Sequence, residues 1–229
     1  MGIPTLYLNL IKFWYANQFA NVRYNGKYSE NWKICNGVRQ GGILSGLFFC
    51  IYINSLIDKI SNLDIGCRLG LYSSNIVVYA DDIVLLAPSA SSLQILMNIA
   101  NAEALELDLL FNVNKCKVVI FSSGKEVFIE KQFFIGNQNV CKSQSIKYLG
   151  YHISYNLHNH EDINAKRNKF YSEFNQILRK FHSVEENIKI FLFKQFCLQI
   201  YGAELWFGDT KSKAPLKQFS LGYHKAIKN

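Results

Sequence analysis

The sequence predicts an α+β fold, in which an antiparallel sheet with packed helices is followed by an all-helical region. Three observations carry this. Short runs of β-branched and aromatic residues, separated by turn residues, recur up to Ser154. Two long apolar stripes at helical spacing lie among them. From Asp162 onward only lysine-rich helical patterns remain, which places a boundary near Asn156 and divides the chain into residues 1–155 and 156–229.

In chain order, Leu6 to Asn17 is predicted as a helix. In NVRYNGKYSENWKI the Asn25-Gly26 pair between alternating runs signals a hairpin. CNGVRQGGILSG then places four glycines between Gly37 and Gly46, a loop suited to close backbone approach. Ser45 is expected to cap the following helix, where Phe48, Tyr52, Leu56 and Ile60 recur with Leu47 and Ile51 beside them. Ile76 to Ala87 reads as strand, turn and strand, stopped by Pro88. Ser89 to Leu110 is predicted as an amphipathic helix capped by one of its leading serines, its stripe formed by Leu93, Leu96, Met97, Ala100, Ala104 and Leu107. Lys117 to Phe121, Val127 to Ile135 and Ile146 to Ser154 are predicted strands, the second turning at Gly136-Asn137. Helical patterns then cover about 162–181, 184–201 and 213–227.

The bulk composition narrows the function classes. At 229 residues with 49% apolar content the chain can bury a core, so disorder is excluded. The net charge is +8, which points to an acidic partner, most simply nucleic acid. The excess is uneven: residues 1–150 carry 13 Lys and Arg against 10 Asp and Glu, residues 151–229 carry 12 against 7, so +3 faces +5 in half the length. Cys35, Cys50, Cys67, Cys116, Cys141 and Cys197 form no CxxC pair and read as reduced thiols of an intracellular protein. There is no uncharged apolar run long enough to span a membrane, so no membrane partner is expected.

The chemistry is expected at IVVYADDIVLLAP, where Asp81 and Asp82 sit between two sheet-forming runs. Two adjacent carboxylates repel, and each is costly to remove from water. One reading is a hairpin tip with both acids in solvent. The other is a divalent cation, because hard oxygen ligands beside a basic surface are how Mg²⁺ is held against phosphates. HNHED, residues 158–162, fits no common zinc spacing and is not expected to bind a metal.

GVRQGGILSG, then YADD, then Asn112 with Lys115, then Tyr148-Leu149-Gly150, taken in that order, resemble the palm of reverse transcriptases, in particular those of non-LTR (LINE-type) retrotransposons. YGAELW and the closing HKAIKN resemble the region after the palm in those elements. The resemblance implies a polymerase palm followed by a helical thumb. Asp81 and Asp82 would then be catalytic metal ligands for Mg²⁺ or Mn²⁺, with Lys115 near the leaving pyrophosphate. Gly37, Arg39, Gln40, Gly41, Gly42, Ser45 and Tyr79 would contact nucleotide and template, while Tyr148, Leu149 and Gly150 would grip the primer. The alternative readings are a solvated lysine at a strand edge for Lys115, a core residue for Tyr148, whose hydroxyl favours a site at the edge of the sheet, and a solvated face for the lysines of the last helices. The implied partners are an RNA template, a DNA primer and deoxynucleoside triphosphates.

Departures from the family's pattern shape the expectation. The family carries an earlier palm strand with another essential aspartate, preceded by fingers, whereas no Asp occurs here before Asp58. The chain is therefore expected to be a C-terminal piece of a larger polymerase that lacks fingers and first palm strand. It would be cut short at Asn229, inactive or nearly so alone, and partnered by the missing N-terminal part of the same polyprotein. The alternative is a non-catalytic relic that still binds nucleic acid. Gly46 stands where the family usually has proline, and Cys116 where it usually has threonine.

Overall fold

The computed structural model describes residues 2–122, 130–206 and 213–228. Seven α-helices and a set of short strands alternate along them, a mixed α/β architecture. Helix α1 spans Thr5–Ala16, followed by strands β1 (Phe19–Ala20), β2 (Arg23–Tyr24), β3 (Lys27–Tyr28) and β4 (Trp32–Lys33). Asn25 and Gly26 close β2 onto β3 with φ of 47° and 76°, the paired left-handed angles that make Asn-Gly the favoured two-residue turn.

The helix predicted after the glycine loop is two helices, α2 (Ser45–Tyr52) and α3 (Asn54–Ser61), broken at Ile53 with ψ near 0°. Ser45 does not cap it. Leu44 holds the cap position without a side-chain bond, and the Ser45 hydroxyl donates to the Arg39 carbonyl at 2.6 Å. Short ribbons β5–β6 (Arg68–Leu69, Tyr72–Ser73) and β7–β8 (Ile76–Tyr79, Asp82–Leu85) come next. Helix α4 (Ala90–Glu106) is capped by the Ser89 hydroxyl, which accepts from the Ser92 N–H. It stops short of Leu110 because Asp108 turns left-handed at φ 51° and the Leu109 N–H returns to the Ala104 carbonyl at 2.8 Å.

Beyond α4 lie β9 (Lys117–Val118), β10 (Phe133–Ile135), β11 (Gln138–Lys142), β12 (Ser145–Tyr148) and β13 (Tyr151–Ser154), then α5 (His160–Lys180), α6 (Glu186–Phe196), a 3₁₀ turn (Ala203–Trp206) and α7 (Lys213–Lys228). The turn at Gly136-Asn137 joins β10 to β11 as expected, while positions 127–129 of the predicted strand and Asn229 lie outside the described residues. Ile146 to Ser154 is not one strand: Leu149 and Gly150, at φ 47° and 80°, fold it into the β12–β13 hairpin. Among the described residues the strands form six small sheets rather than one, and β9 pairs with β11 in parallel.

Helix α4 is the hub. One side packs Leu96, Ala100 and Ala104 on Leu56 and Ile60 of α3, with Ile76, Ile83 and Leu85 of the β7–β8 ribbon against the same cluster. Met97 packs instead with Val118, Phe133 and Val140. Burying each large apolar side chain contributes about 1.5–3 kcal/mol, so the ribbon's inner face is firmly held. Glu103 of α4, itself buried, pairs with Lys59 of α3. Asn75 pins the ribbon's base: its amide donates to the Ile60 and Leu63 carbonyls at 3.1 and 2.7 Å, closing the end of α3. A Cβ on Gly66 would fall 1.9 Å from the Asn75 Oδ1, so only glycine fits. Gly66→Ala is expected to cost about 1–3 kcal/mol by overpacking. A urea titration with an unchanged midpoint would contradict this.

The helical region has its own core of Phe170, Ile177 and Cys197, with Phe174, Phe193 and Phe219 around it. It is joined to the β12–β13 hairpin by Asp162, which is 0% exposed. That carboxylate accepts from the His152 N–H at 3.0 Å, the Lys166 ammonium at 2.5 Å and the Trp206 indole N–H at 2.8 Å. The Lys166 ammonium also lies 4.6 Å from the Tyr151 ring centroid and 5.2 Å from that of Trp206. Among the described residues no helix is long and apolar enough to cross a membrane.

Candidate active site

The β7–β8 ribbon presents the acidic pair. Its register sets Val78 opposite Ile83 and Ile76 opposite Leu85 on the inner face, leaving Val77 with Val84 and Tyr79 with Asp82 on the outer one. Ala80 and Asp81 form the two-residue turn, and Ala80 takes φ 52°. A left-handed non-glycine residue costs roughly 1–2 kcal/mol, a strain held at the tip by the anchored strands below. Tyr79, Asp81 and Asp82 are all exposed. Among the described residues the ion pairs engage Asp64, Glu103, Asp162 and Glu173, and leave Asp81 and Asp82 without a cationic partner.

Tyr148, at the end of β12, reaches the same neighbourhood. Its hydroxyl is buried and has no hydrogen-bond partner among the described residues. Burial, and secondarily the Asp82 carboxylate, hold the phenol above its ordinary pKa of 10.0. Two residues singled out on different hairpins are thus within electrostatic reach of each other. Tyr148 pairs across its hairpin with Tyr151, and Leu149 and Gly150 form the turn between them. The Tyr201 ring lies 3.7 Å from where a Gly150 Cβ would stand, so the turn rests on the segment leading into the 3₁₀ turn.

The glycine loop is built by its own hydrogen bonds. The Gly42 N–H donates to the Arg39 carbonyl at 3.0 Å across Gln40 and Gly41, and Gly41 takes φ 80°, the left-handed third position of a type II turn. Gly42 has a different reason: a Cβ there would meet the Ser45 Oγ at 2.5 Å and the Arg39 carbonyl at 3.2 Å. Ser45 is buried and its hydroxyl is spent on Arg39, so it shapes the loop. Gly37, Arg39, Gln40 and Gly41 remain exposed.

Lys115 is exposed in a turn where its N–H donates to the Asn112 carbonyl at 2.9 Å. Cys116 follows with its thiol donating to the same carbonyl at 3.4 Å, and burial holds that thiol above its usual pKa of 9.0. A thiol thus stands as donor where the family usually has a hydroxyl. Among the described residues, neither Lys115 nor the Arg39–Ser45 loop hydrogen-bonds to the acidic tip.

The donor set at the tip decides what ion it suits. Two exposed carboxylates are hard oxygen ligands, and among the described residues no group of three or more His, Cys, Asp or Glu gathers to enclose a metal. Mg²⁺ is commonly held by one or two carboxylates with waters and substrate phosphates completing the shell, so the pair fits such an ion as a shared rather than an enclosed ligand. His158 and His160, with ring centroids 5.7 Å apart, flank the start of α5.

Asn75 and Gly66, which fix the ribbon's base, and Asp162, which fixes the β12–β13 hairpin from behind, were not singled out as site residues in the sequence. Only the asparagine just ahead of IVVYADD offered a signal.

Residues 1–153 match the reverse transcriptase (RNA-dependent DNA polymerase) family. The chain belongs to that family and carries an RNA-directed DNA polymerase domain. It is similar to the retrovirus-related Pol polyprotein of the type-2 retrotransposable element R2DM of Drosophila melanogaster, 26% identical over 156 residues, which is 65% of this chain and 15% of that protein. A second relative, the Pol polyprotein of the type-1 retrotransposable element R2 of Nasonia vitripennis, is 30% identical over 157 residues, again 65% of this chain and 15% of the relative. The chain therefore spans 15% of the length of each of these curated relatives over the matched region.

Proposed function

We propose that residues 1–155 are the palm and residues 156–229 the thumb of a template-directed nucleotidyl transferase that copies RNA into DNA. The observation that carries this is the exposed Asp81–Asp82 tip, without a cationic partner among the described residues, on a ribbon whose inner face is locked into the core. Mg²⁺, or Mn²⁺ in its place, would supply neutralisation of triphosphate charge and alignment of the reacting oxygens. The chain's own residues do the rest. Asp81 and Asp82 offer carboxylate oxygens on a fixed tip. Gly37, Arg39, Gln40 and Gly41 present backbone and polar groups for a nucleotide and its template, with Tyr79 beside the acids. Lys115 brings a cation to the leaving pyrophosphate, and the Tyr148–Gly150 turn bears on the primer end. Lysines and arginines of α5 to α7 would track a duplex through its phosphates.

At the ribbon tip residues 1–229 offer only Asp81 and Asp82, half of a two-metal cage, and are expected to extend a primer very slowly or not at all. Extension at the rate of a complete polymerase would contradict this. Binding separates the polymerase reading from a relic that merely holds nucleic acid. With Mg²⁺ and a matching deoxynucleoside triphosphate present, Asp81→Ala is expected to weaken the complex with primer and template at every salt concentration. A binder without the site would give superimposable plots of log affinity against log salt.

A further inference from the structure

The ribbon between α1 and the glycine loop carries a surface that the catalytic reading does not use. Its lower half pairs Phe19 with Lys33 and Ala20 with Trp32, and its upper half pairs Arg23 with Tyr28 and Tyr24 with Lys27. Between them the Asn21 amide donates to the Asn31 Oδ1 at 2.9 Å, while the Ser29 N–H donates to the Val22 carbonyl at 2.9 Å and the Val22 N–H donates to the Ser29 Oγ at 2.9 Å. Glu30 is thus one extra residue on the second strand, a bulge that lets both halves pair.

Alternation along the unbulged strand sorts the side chains. Gln18, Ala20 and Ile34 are buried or half-buried on one face, at the end near α1, while Val22, Tyr24 and Trp32 of the same face are exposed. The opposite face carries Phe19 with Lys33, Asn21 with Asn31, and Arg23 with Tyr28, and all six are exposed. Phe19 and Tyr28 are 56% and 63% exposed, an expensive way to leave rings unless something covers them. The Arg23 guanidinium stacks 5.5 Å from the Tyr28 ring centroid. Among the described residues neither Arg23 nor Lys33 enters an ion pair, and the nearest acid along the ribbon is the exposed bulge residue Glu30.

We infer that this outer face is a binding site for single-stranded nucleic acid, separate from Asp81 and Asp82. Arg23 and Lys33 take phosphates, Phe19 and Tyr28 stack bases, and Asn21 and Asn31 offer donors and acceptors between them. Rings that accept any base, set among cations that follow the backbone, are the general means of holding an unpaired strand. The face runs about 13 Å from Phe19 to Arg23, room for a short run of nucleotides.

The test is fluorescence anisotropy of a fluorescein-labelled oligo(U) with residues 1–229. Tyr28→Ala and Phe19→Ala are each expected to weaken binding about tenfold, the loss of one stacked base. The double variant Arg23→Gln, Lys33→Gln is expected to flatten the slope of log affinity against log salt by about 1.4, two phosphates at about 0.7 each. Tyr24→Ala on the other face is expected to bind as the parent does, with thermal melts confirming folding of every variant. Losses confined to the outer face, together with an Asp81→Ala variant that holds primer, template and triphosphate in Mg²⁺ as tightly as the parent, would uphold the site while removing the polymerase reading. Overturning results are wild-type affinity in Tyr28→Ala and Phe19→Ala, an equal loss in Tyr24→Ala, no binding of oligo(U) at low salt, or a dimer in sedimentation that those variants dissolve.

Discussion

Asp162→Ala is expected to destabilise the protein by about 3–5 kcal/mol, the usual cost of removing one partner from a buried charge pair. The carboxylate is fully buried and answers three donors, so alanine strands the Lys166 ammonium, only 12% exposed, with the Trp206 and His152 N–H groups. The faces of Tyr151 and Trp206 near Lys166 return only part of that, about 0.5–2 kcal/mol each. A loss of this size is a large part of the 5–15 kcal/mol that holds a typical domain. Because His152 lies on β13, the β12–β13 hairpin is expected to loosen from α5 in the same step. Urea unfolding followed by tryptophan fluorescence measures it. The double variant Asp162→Ala, Lys166→Met should recover part of the loss, since no charge is then left unpaired. A loss below about 1 kcal/mol in the single variant would show that the network contributes little.

Asp81→Ala is the second large effect, and it falls on binding rather than stability. Asp81 is exposed in a turn and makes no ion pair among the described residues, so its removal should leave the melting transition almost unmoved. Its attraction for a cation lies between about 1 and 4 kcal/mol per unit charge at 4 Å, depending on how much water remains. Even the lower figure for a dication predicts about a tenfold or greater fall in metal-dependent triphosphate affinity. Titration calorimetry of a deoxynucleoside triphosphate with Mn²⁺ reads it directly. Equal heats and affinities in parent and variant would detach Asp81 from any metal.

Local chemistry was legible in the sequence where one or two residues decide the outcome. Asn25-Gly26 closes its hairpin, Ser89 caps α4, Pro88 follows the second strand of the acidic ribbon, and the last three helices start close to their patterns, although α6 stops at Phe196, well short of the predicted 201. What failed depends on contacts distant in sequence. Ser45 had every local qualification for a cap, but the Arg39 carbonyl turned back within reach of its hydroxyl. Apolar periodicity runs straight through Ile53, so the break between α2 and α3 carried no pattern of its own. In KYLGYH the glycine was visible, yet a leucine at φ 47° beside it was not a turn signal. Asp162 looked like one more charge at the start of a basic helix. Its burial arises from Trp206, which lies 44 positions away, and from the backbone of β13. The acidic tip was read from its flanks, whereas the Tyr148 hydroxyl near Asp82 required two hairpins to be placed together.

The most direct measurement is paramagnetic broadening of amide resonances by Mn²⁺ in isotope-labelled residues 1–229, with and without a deoxynucleoside triphosphate. Broadening should centre on Tyr79 to Asp82, extend to Tyr148, sharpen in its localisation when the triphosphate is added, and vanish in Asp81→Ala. Broadening centred on His158 to Asp162, or none at these positions at any Mn²⁺ concentration the protein tolerates, would contradict a metal site at the ribbon tip.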